Sequence, residues 1–157
     1  DLSNDDSFRN LPEEPIDIAV LCAGISSIEQ CEEDPETTRR INVDGILTLA
    51  GKLAAQGAFI VFLSSDRVFN GRTLFPEVED QPEPVSQYGL QKAEVEAGLS
   101  VLGVEFAIVR LGKVIGRTTP TFASWLSDLR SGRQIRPFND FFLAPISRGV
   151  CITNNGE

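Results

Sequence analysis

Apolar positions along this chain gather into three short, nearly unbroken runs, with amphipathic stretches between them. The runs are Ile16 to Cys22 (IDIAVLC), Ala58 to Leu63 (AFIVFL) and Glu105 to Leu111 (EFAIVRL). Runs of this length, rich in Ile, Val and Phe and bounded by Gly or polar residues, predict buried strands of a parallel sheet. From Pro35 the period changes. Ile41, Ile46, Leu49, Ala50 and Leu53 form a helical stripe that ends at Gly57. Proline is tolerated in a first helical turn, and Glu36 favours a helix N-terminus. Ser86 is a fitting N-cap for a helix over Gln87 to Leu102, and Thr121 to Ser131 reads as an amphipathic helix closed by Gly132. Asp5 to Leu11 suits a short helix and Gly149 to Thr153 a short strand. Ser26 to Asp34 reads as an acidic loop with room for a helical turn.

Strand, helix, strand, helix, strand predicts an α/β protein with a Rossmann-like, doubly wound parallel sheet. Ligands of such sheets bind beyond the carboxyl ends of the strands. Ala23 to Ser26, Ser64 to Asp66 and Gly112 to Gly116 are expected there. Asn70 to Gln87 holds an Asn-Gly pair, three prolines and many acids. It is longer than a plain connection, and long loops tend to carry function.

Composition narrows the chemistry. The 157 residues are 41% hydrophobic, enough for one domain with a core. Of the net charge of −9, nearly all lies in residues 1–36, which hold eleven acids and one base. Residues 37–157 hold twelve acids and thirteen bases. An acidic end of this kind is a solvated face and disfavours a nucleic-acid surface. No apolar run reaches the roughly 18 residues of a membrane span, and the chain opens on a polar, acidic segment. A cytoplasmic protein is the expectation. Histidine is absent, so Ser-His-Asp chemistry and His-ligated zinc have no residues to use here. Cys22, Cys31 and Cys151 show no metal spacing, and Cys22 is expected in the core. No metal is expected.

Acid–base work therefore falls to Tyr, Lys or carboxylates. Tyr88, the sole tyrosine, and Lys92 lie four apart and share a helix face. A lysine one turn away is expected to favour the phenolate and lower the phenol's pKa. Ser65, at a strand end 23 residues upstream, is placed to meet the same carbonyl oxygen. Spacing alone fits an ordinary surface pair; the serine and the order of elements favour a site.

These residues resemble the extended short-chain dehydrogenase/reductases. Tyr88-Gly89-Leu90-Gln91-Lys92 is similar to their Tyr-x-x-x-Lys motif. Ser64-Ser65-Asp66-Arg67-Val68-Phe69-Asn70-Gly71 is similar to the Ser-Thr-Asp-Tyr-Val-Phe-Asp-Gly block of the dTDP-4-dehydrorhamnose reductase branch. Serine stands at the Thr position and Arg67 at an aromatic one. Asn42-Val43-Asp44-Gly45 resembles the branch's Asn-Val-x-Gly, and Glu32 to Glu36 its acidic lead-in. The resemblance covers roughly residues 1 to 140.

The resemblance implies a catalytic set of Ser65, Tyr88 as proton donor, and Lys92 on the nicotinamide ribose. It implies NADP or NAD as cofactor, lined by Cys22, Ala23, Gly24, Ser64, Tyr88, Lys92 and Arg110, the last in an Arg-x-x-x-Val-x-Gly segment, Arg110 to Gly116. Asp66, Val68, Phe69 and Arg136 become substrate-binding candidates. The implied reaction is reduction of a nucleotide-linked 4-keto sugar, with no nucleic-acid or membrane partner; a homodimer is compatible. Residues 1–116 are then the remainder of an NAD(P)-binding Rossmann domain with the catalytic helix, and 117–157 part of a smaller substrate-binding region. Family members open with a strand and a Gly-rich turn that cradles pyrophosphate. That first β-α-β unit has no counterpart here. Its strand is central in the order 3-2-1-4-5-6, and a sheet lacking it is expected to be unstable, so the expectation is a piece of a larger working protein.

Two other readings stay open. A sugar-nucleotide epimerase or dehydratase would use the same triad and return the hydride. A non-catalytic regulatory protein on the same fold, as in a subunit of methionine adenosyltransferase, would use none of it. Blander roles also stand beside several residues. Asp66 suits a loop cap, Trp125 a core position, and Arg130, Arg133 and Arg136 a solvated basic helix end. Asn42 suits either a structural water or a neighbouring loop.

Overall fold

The computed structural model describes residues 2–12, 14–73, 76–115, 119–135 and 146–147. The chain divides into two compact units, 1–110 and 111–157. In the first, Asn4 caps a 3₁₀ helix over Asp5–Asn10, its side chain accepting the Asp6 N–H. Strand β1 (Ile18–Leu21) follows, then α1 (Ile28–Glu33), α2 (Pro35–Arg39), a π-helical turn (Arg40–Gly45) and α3 (Ile46–Ala55). Strand β2 (Phe59–Ser65), a 3₁₀ turn (Asp66–Val68), helix α4 (Gln87–Leu102) and strand β3 (Phe106–Leu111) complete it.

The sheet order is β1-β2-β3, and β1 pairs in parallel with β2 from Ile18–Phe59 to Leu21–Phe62. The three strands are contiguous in this order. Alternation decides which face is covered. Ala19, Leu21, Ile60 and Phe62 point to one side and are buried with Ile46, Ala50 and Leu53 of α3 and Val95 and Leu99 of α4. Each large buried side chain contributes about 1.5–3 kcal/mol. Ile18 and Val20 point the other way and are 61% and 54% exposed. The first run is thus the expected parallel strand, with Ala19 and Leu21 on its covered face. Cys22, expected in the core, is exposed just past its end.

Two helical features depart from the sequence-based expectation. Ser27 accepts the Gln30 N–H at 3.2 Å and starts α1, six residues long where a loop with room for a helical turn was expected. Cys31, with no exposed surface, anchors that helix. The helix expected from Pro35 is present, but its middle widens into the π turn. Single π turns occur often at functional sites, and this one carries the buried Asn42.

In the second unit, Val114–Ile115 (β4) pairs in parallel with Ile146–Ser147 (β5), and α5 spans Pro120–Arg130. None of the residues of α5 is buried. Trp125 is half-buried with its ring 6.0 Å from that of Phe122, so it is not a core residue of this unit as expected. Arg133 pairs with Asp128 at 2.7 Å. The strand expected over Gly149 to Thr153 lies outside the described residues, as do Arg136, Gly116 and Cys151. No helix among the described residues is long and apolar enough to cross a membrane.

Candidate active site

The end of β2 positions the site. Ser65 leaves the strand and accepts the Arg67 N–H at 3.2 Å, capping the 3₁₀ turn, while its hydroxyl donates to Asp66 Oδ1 at 3.1 Å. Helix α4 begins against that turn. Ser86 accepts the Gly89 N–H at 3.2 Å, a side-chain N-cap that satisfies one of the orphan donors of the first turn. Gly89 then lies directly on the Arg67 carbonyl; a Cβ there would collide with that oxygen and meet Pro84 Cβ at 3.1 Å. This close approach puts the first turn of α4, and with it Tyr88, beside Ser65.

Lys92 follows one turn later. Its Nζ donates to the Leu63 carbonyl at 2.9 Å, and sits 4.6 Å from the Phe62 ring centroid and 5.8 Å from that of Tyr88. Ser65, Tyr88 and Lys92 are therefore gathered at the carboxyl end of β2. Burial pushes the Tyr88 phenol above its ordinary pKa, aided by Cys31 and Asp66 and opposed by a hydrogen bond with Ser65. The expected lowering by Lys92 is not found. The ammonium is turned onto Leu63 and lies over the ring, so it does not hold the phenolate. Burial likewise pushes the Lys92 ammonium down, with Cys22 and Glu96 opposing.

The other candidates divide. Cys22, Ala23 and Gly24 form an exposed turn at the end of β1, next to the end of β2. Gly24 has φ of 143°, and a Cβ there would lie 2.9 Å from Asn42 Oδ1, so the position admits glycine. Asp66 is exposed and Phe69 is half-buried under the Arg110 guanidinium, 4.9 Å away. Val68 has no exposed surface, so it supports the turn and offers nothing to a ligand. Ser64 is buried and donates to Glu96, turned away from the strand end. Arg110 Nη2 pairs with Glu96 at 2.7 Å and its Nη1 reaches the Val78 carbonyl at 3.1 Å.

Two buried polar groups of α4 were not singled out from sequence. Glu96 lies four residues past Lys92, on the Tyr88 face of α4; that spacing was the available signal. Gln91 sits on the neighbouring face, and its Oε1 accepts from Asn42 Nδ2 at 2.8 Å while its Nε2 donates to Thr38 Oγ1 at 2.9 Å. Asn42 also clasps the turn after β1, accepting from Ile25 N at 2.7 Å and donating to Ile25 O at 2.9 Å. Of its two sequence-based roles, the described contacts are those of a residue facing a neighbouring loop. It ties that turn to α4. Asn42→Ala leaves buried partners unpaired and is expected to lower stability by about 2–4 kcal/mol. An unchanged urea midpoint would remove that role.

Comparison with known proteins shows the family. Residues 1–148 match the family described as RmlD substrate binding domain. The chain is 29% identical over 154 residues to the probable low-salt glycan biosynthesis reductase Agl14 of Haloferax volcanii, covering 94% of this chain and 51% of that protein. It is 33% identical over 99 residues to methionine adenosyltransferase 2 subunit beta of Bos taurus, covering 63% of this chain and 30% of that one. The structure of dTDP-4-dehydrorhamnose reductase from Bacillus anthracis in complex with NADP superimposes with a TM-score of 0.73 at 26% identity, over 85% of this chain and 49% of that chain. The chain thus spans about half or less of the length of these proteins. With its parallel strands, flanking helices and strand-end Ser-Tyr-Lys group, the chain belongs to the RmlD substrate binding domain family.

Proposed function

We propose that this chain carries the proton-donor half of an NAD(P)H-dependent reductase of a nucleotide-linked 4-keto sugar, of the dTDP-4-dehydrorhamnose reductase kind. The observation that carries it is the convergence of Ser65, Tyr88 and Lys92 at the carboxyl end of β2, where ligands of parallel sheets bind. The residues fit the nicotinamide end of a dinucleotide. An ammonium fixed on Leu63 is poised to hold a ribose, and the exposed Cys22–Gly24 turn leaves a surface beside it.

A bound nicotinamide cofactor would supply the hydride. The chain's residues handle the proton and the orientation. The Ser65 hydroxyl hydrogen-bonds the substrate carbonyl oxygen, and the Tyr88 phenol gives that oxygen its proton. Lys92 holds the ribose so that donor and carbonyl meet in one geometry, the source of most of the acceleration. Asp66 and Phe69 flank the substrate side; Arg136 remains a candidate contact with the nucleotide diphosphate. Ser64 and Arg110 are occupied by Glu96, so their service to cofactor is indirect.

The similarity to a methionine adenosyltransferase subunit favours a second reading, a regulatory protein that does not turn over substrate. Cofactor titration of the full-length protein tests the first reading. NADPH or NADH is expected to bind, and Lys92→Ala to weaken binding about 10- to 100-fold through loss of a charged hydrogen bond. Failure of both cofactors to bind would remove the reductase reading.

A further inference from the structure

Helix α4 carries three of its polar groups in a line, Tyr88, Lys92 and Glu96, each four residues from the last. The third is a buried carboxylate, 5% exposed, and it is held from two sides. Arg110 of β3 grips it through Nη2 at 2.7 Å and Nε at 3.2 Å, and Ser64 of β2 donates to it. The same guanidinium reaches the Val78 carbonyl and covers the Phe69 ring. No described ion pair joins Glu96 to Lys92, so the carboxylate is fixed one turn away without drawing the ammonium off Leu63. A free glutamate in this position would bend toward the lysine; one locked by a bidentate arginine cannot.

We propose that Glu96, locked by Arg110 and Ser64, is a positioning residue for the Tyr88–Lys92 pair: held off the half-buried Lys92 ammonium, it leaves Nζ on the Leu63 carbonyl. The groups that face Lys92 are few. Its own helix supplies Tyr88 and Glu96, β2 supplies the Leu63 carbonyl and the Phe62 ring, and the end of β1 supplies Cys22. Burial pushes the ammonium down; Cys22 and Glu96 hold it up. Glu96 is the carboxylate among them. Its removal should therefore release the Lys92 proton at lower pH.

The functional meaning rests on the reductase reading, but the test does not. The full-length protein is treated with acetic anhydride across a pH series, and acetylation is quantified at Lys92, with Lys52 and Lys113 as internal references. The inference predicts that Glu96→Gln shifts the Lys92 profile to lower pH and speeds its acetylation at a fixed, mildly alkaline pH roughly threefold or more. Glu96→Asp, which keeps the charge, restores the wild-type profile. Arg110→Gln, which unlocks Glu96 and leaves its carboxylate uncompensated, shifts the profile the other way. Lys52 and Lys113 stay where they were. An unmoved Lys92 profile in a folded Glu96→Gln or Arg110→Gln protein overturns the proposal, whether or not the protein turns over a sugar. So does a shift of all three lysines together, which would signal general loosening.

Discussion

Replacing Tyr88 with phenylalanine in the full-length protein is expected to lower kcat about 10²- to 10⁴-fold, the range for loss of a positioned general acid. Only a hydroxyl is removed, and the half-buried ring keeps its place. Stability should change little. Cofactor affinity should also hold, because Lys92 is anchored on the Leu63 carbonyl and not on the phenol. The pH profile gives the sign. Burial raises the phenol's pKa, with Ser65 only partly opposing. The proton is therefore retained up to and beyond the ordinary tyrosine value of about 10. Loss of the Tyr88 proton should not limit activity anywhere near neutral pH, and the phenylalanine variant should be slow at every pH. Equal rates in the two proteins would mean that the proton comes from elsewhere.

The second large effect is structural. Gly89→Ala places a Cβ against the Arg67 carbonyl and close to Pro84. Two opposing terms meet. Alanine gains about 1 kcal/mol over glycine inside a helix. The clash is with backbone, which cannot rotate aside, and overpacking of that kind costs about 1–3 kcal/mol, more for valine. The clash should win, shifting α4 off the Asp66–Val68 turn and separating Tyr88 from Ser65. Lower stability and lower kcat should appear together. Gly51→Ala is the control: nothing lies within 4 Å of a Cβ there, so the helix term alone remains and stability should rise or hold. If Gly89→Ala is as stable and active as Gly51→Ala, α4 is not held by that contact.

The legible parts of this molecule are those written in local chemistry. Ser86 marks the start of α4 through a side-chain cap, and Gln87–Leu102 is the observed helix. The three apolar runs mark β1, β2 and β3, which pair in that order into one sheet. Composition did not show which face of the first run is covered: Ala19 and Leu21 are buried, while Ile18, Val20 and Cys22 are exposed. Helix α1 was legible only as a helical turn because half of its residues are acidic; a single buried Cys31 and a serine cap hold it. The π turn leaves no mark in residue type. At the site, spacing brought Tyr88 and Lys92 to one face but did not say where a flexible ammonium goes. It goes to Leu63, and the phenol's pKa rises instead of falling. Glu96 followed the same spacing, but its partner Arg110 arrives from β3, fourteen residues on in sequence.

The central claim is that the Ser65–Tyr88–Lys92 group protonates a sugar carbonyl during reduction. Its most direct measurement follows the absorbance of reduced nicotinamide in the full-length protein with dTDP-4-dehydrorhamnose. The account predicts a decline proportional to enzyme that nearly vanishes in Tyr88→Phe. A bound cofactor whose absorbance stays constant, alike in wild type and Tyr88→Phe, would contradict it.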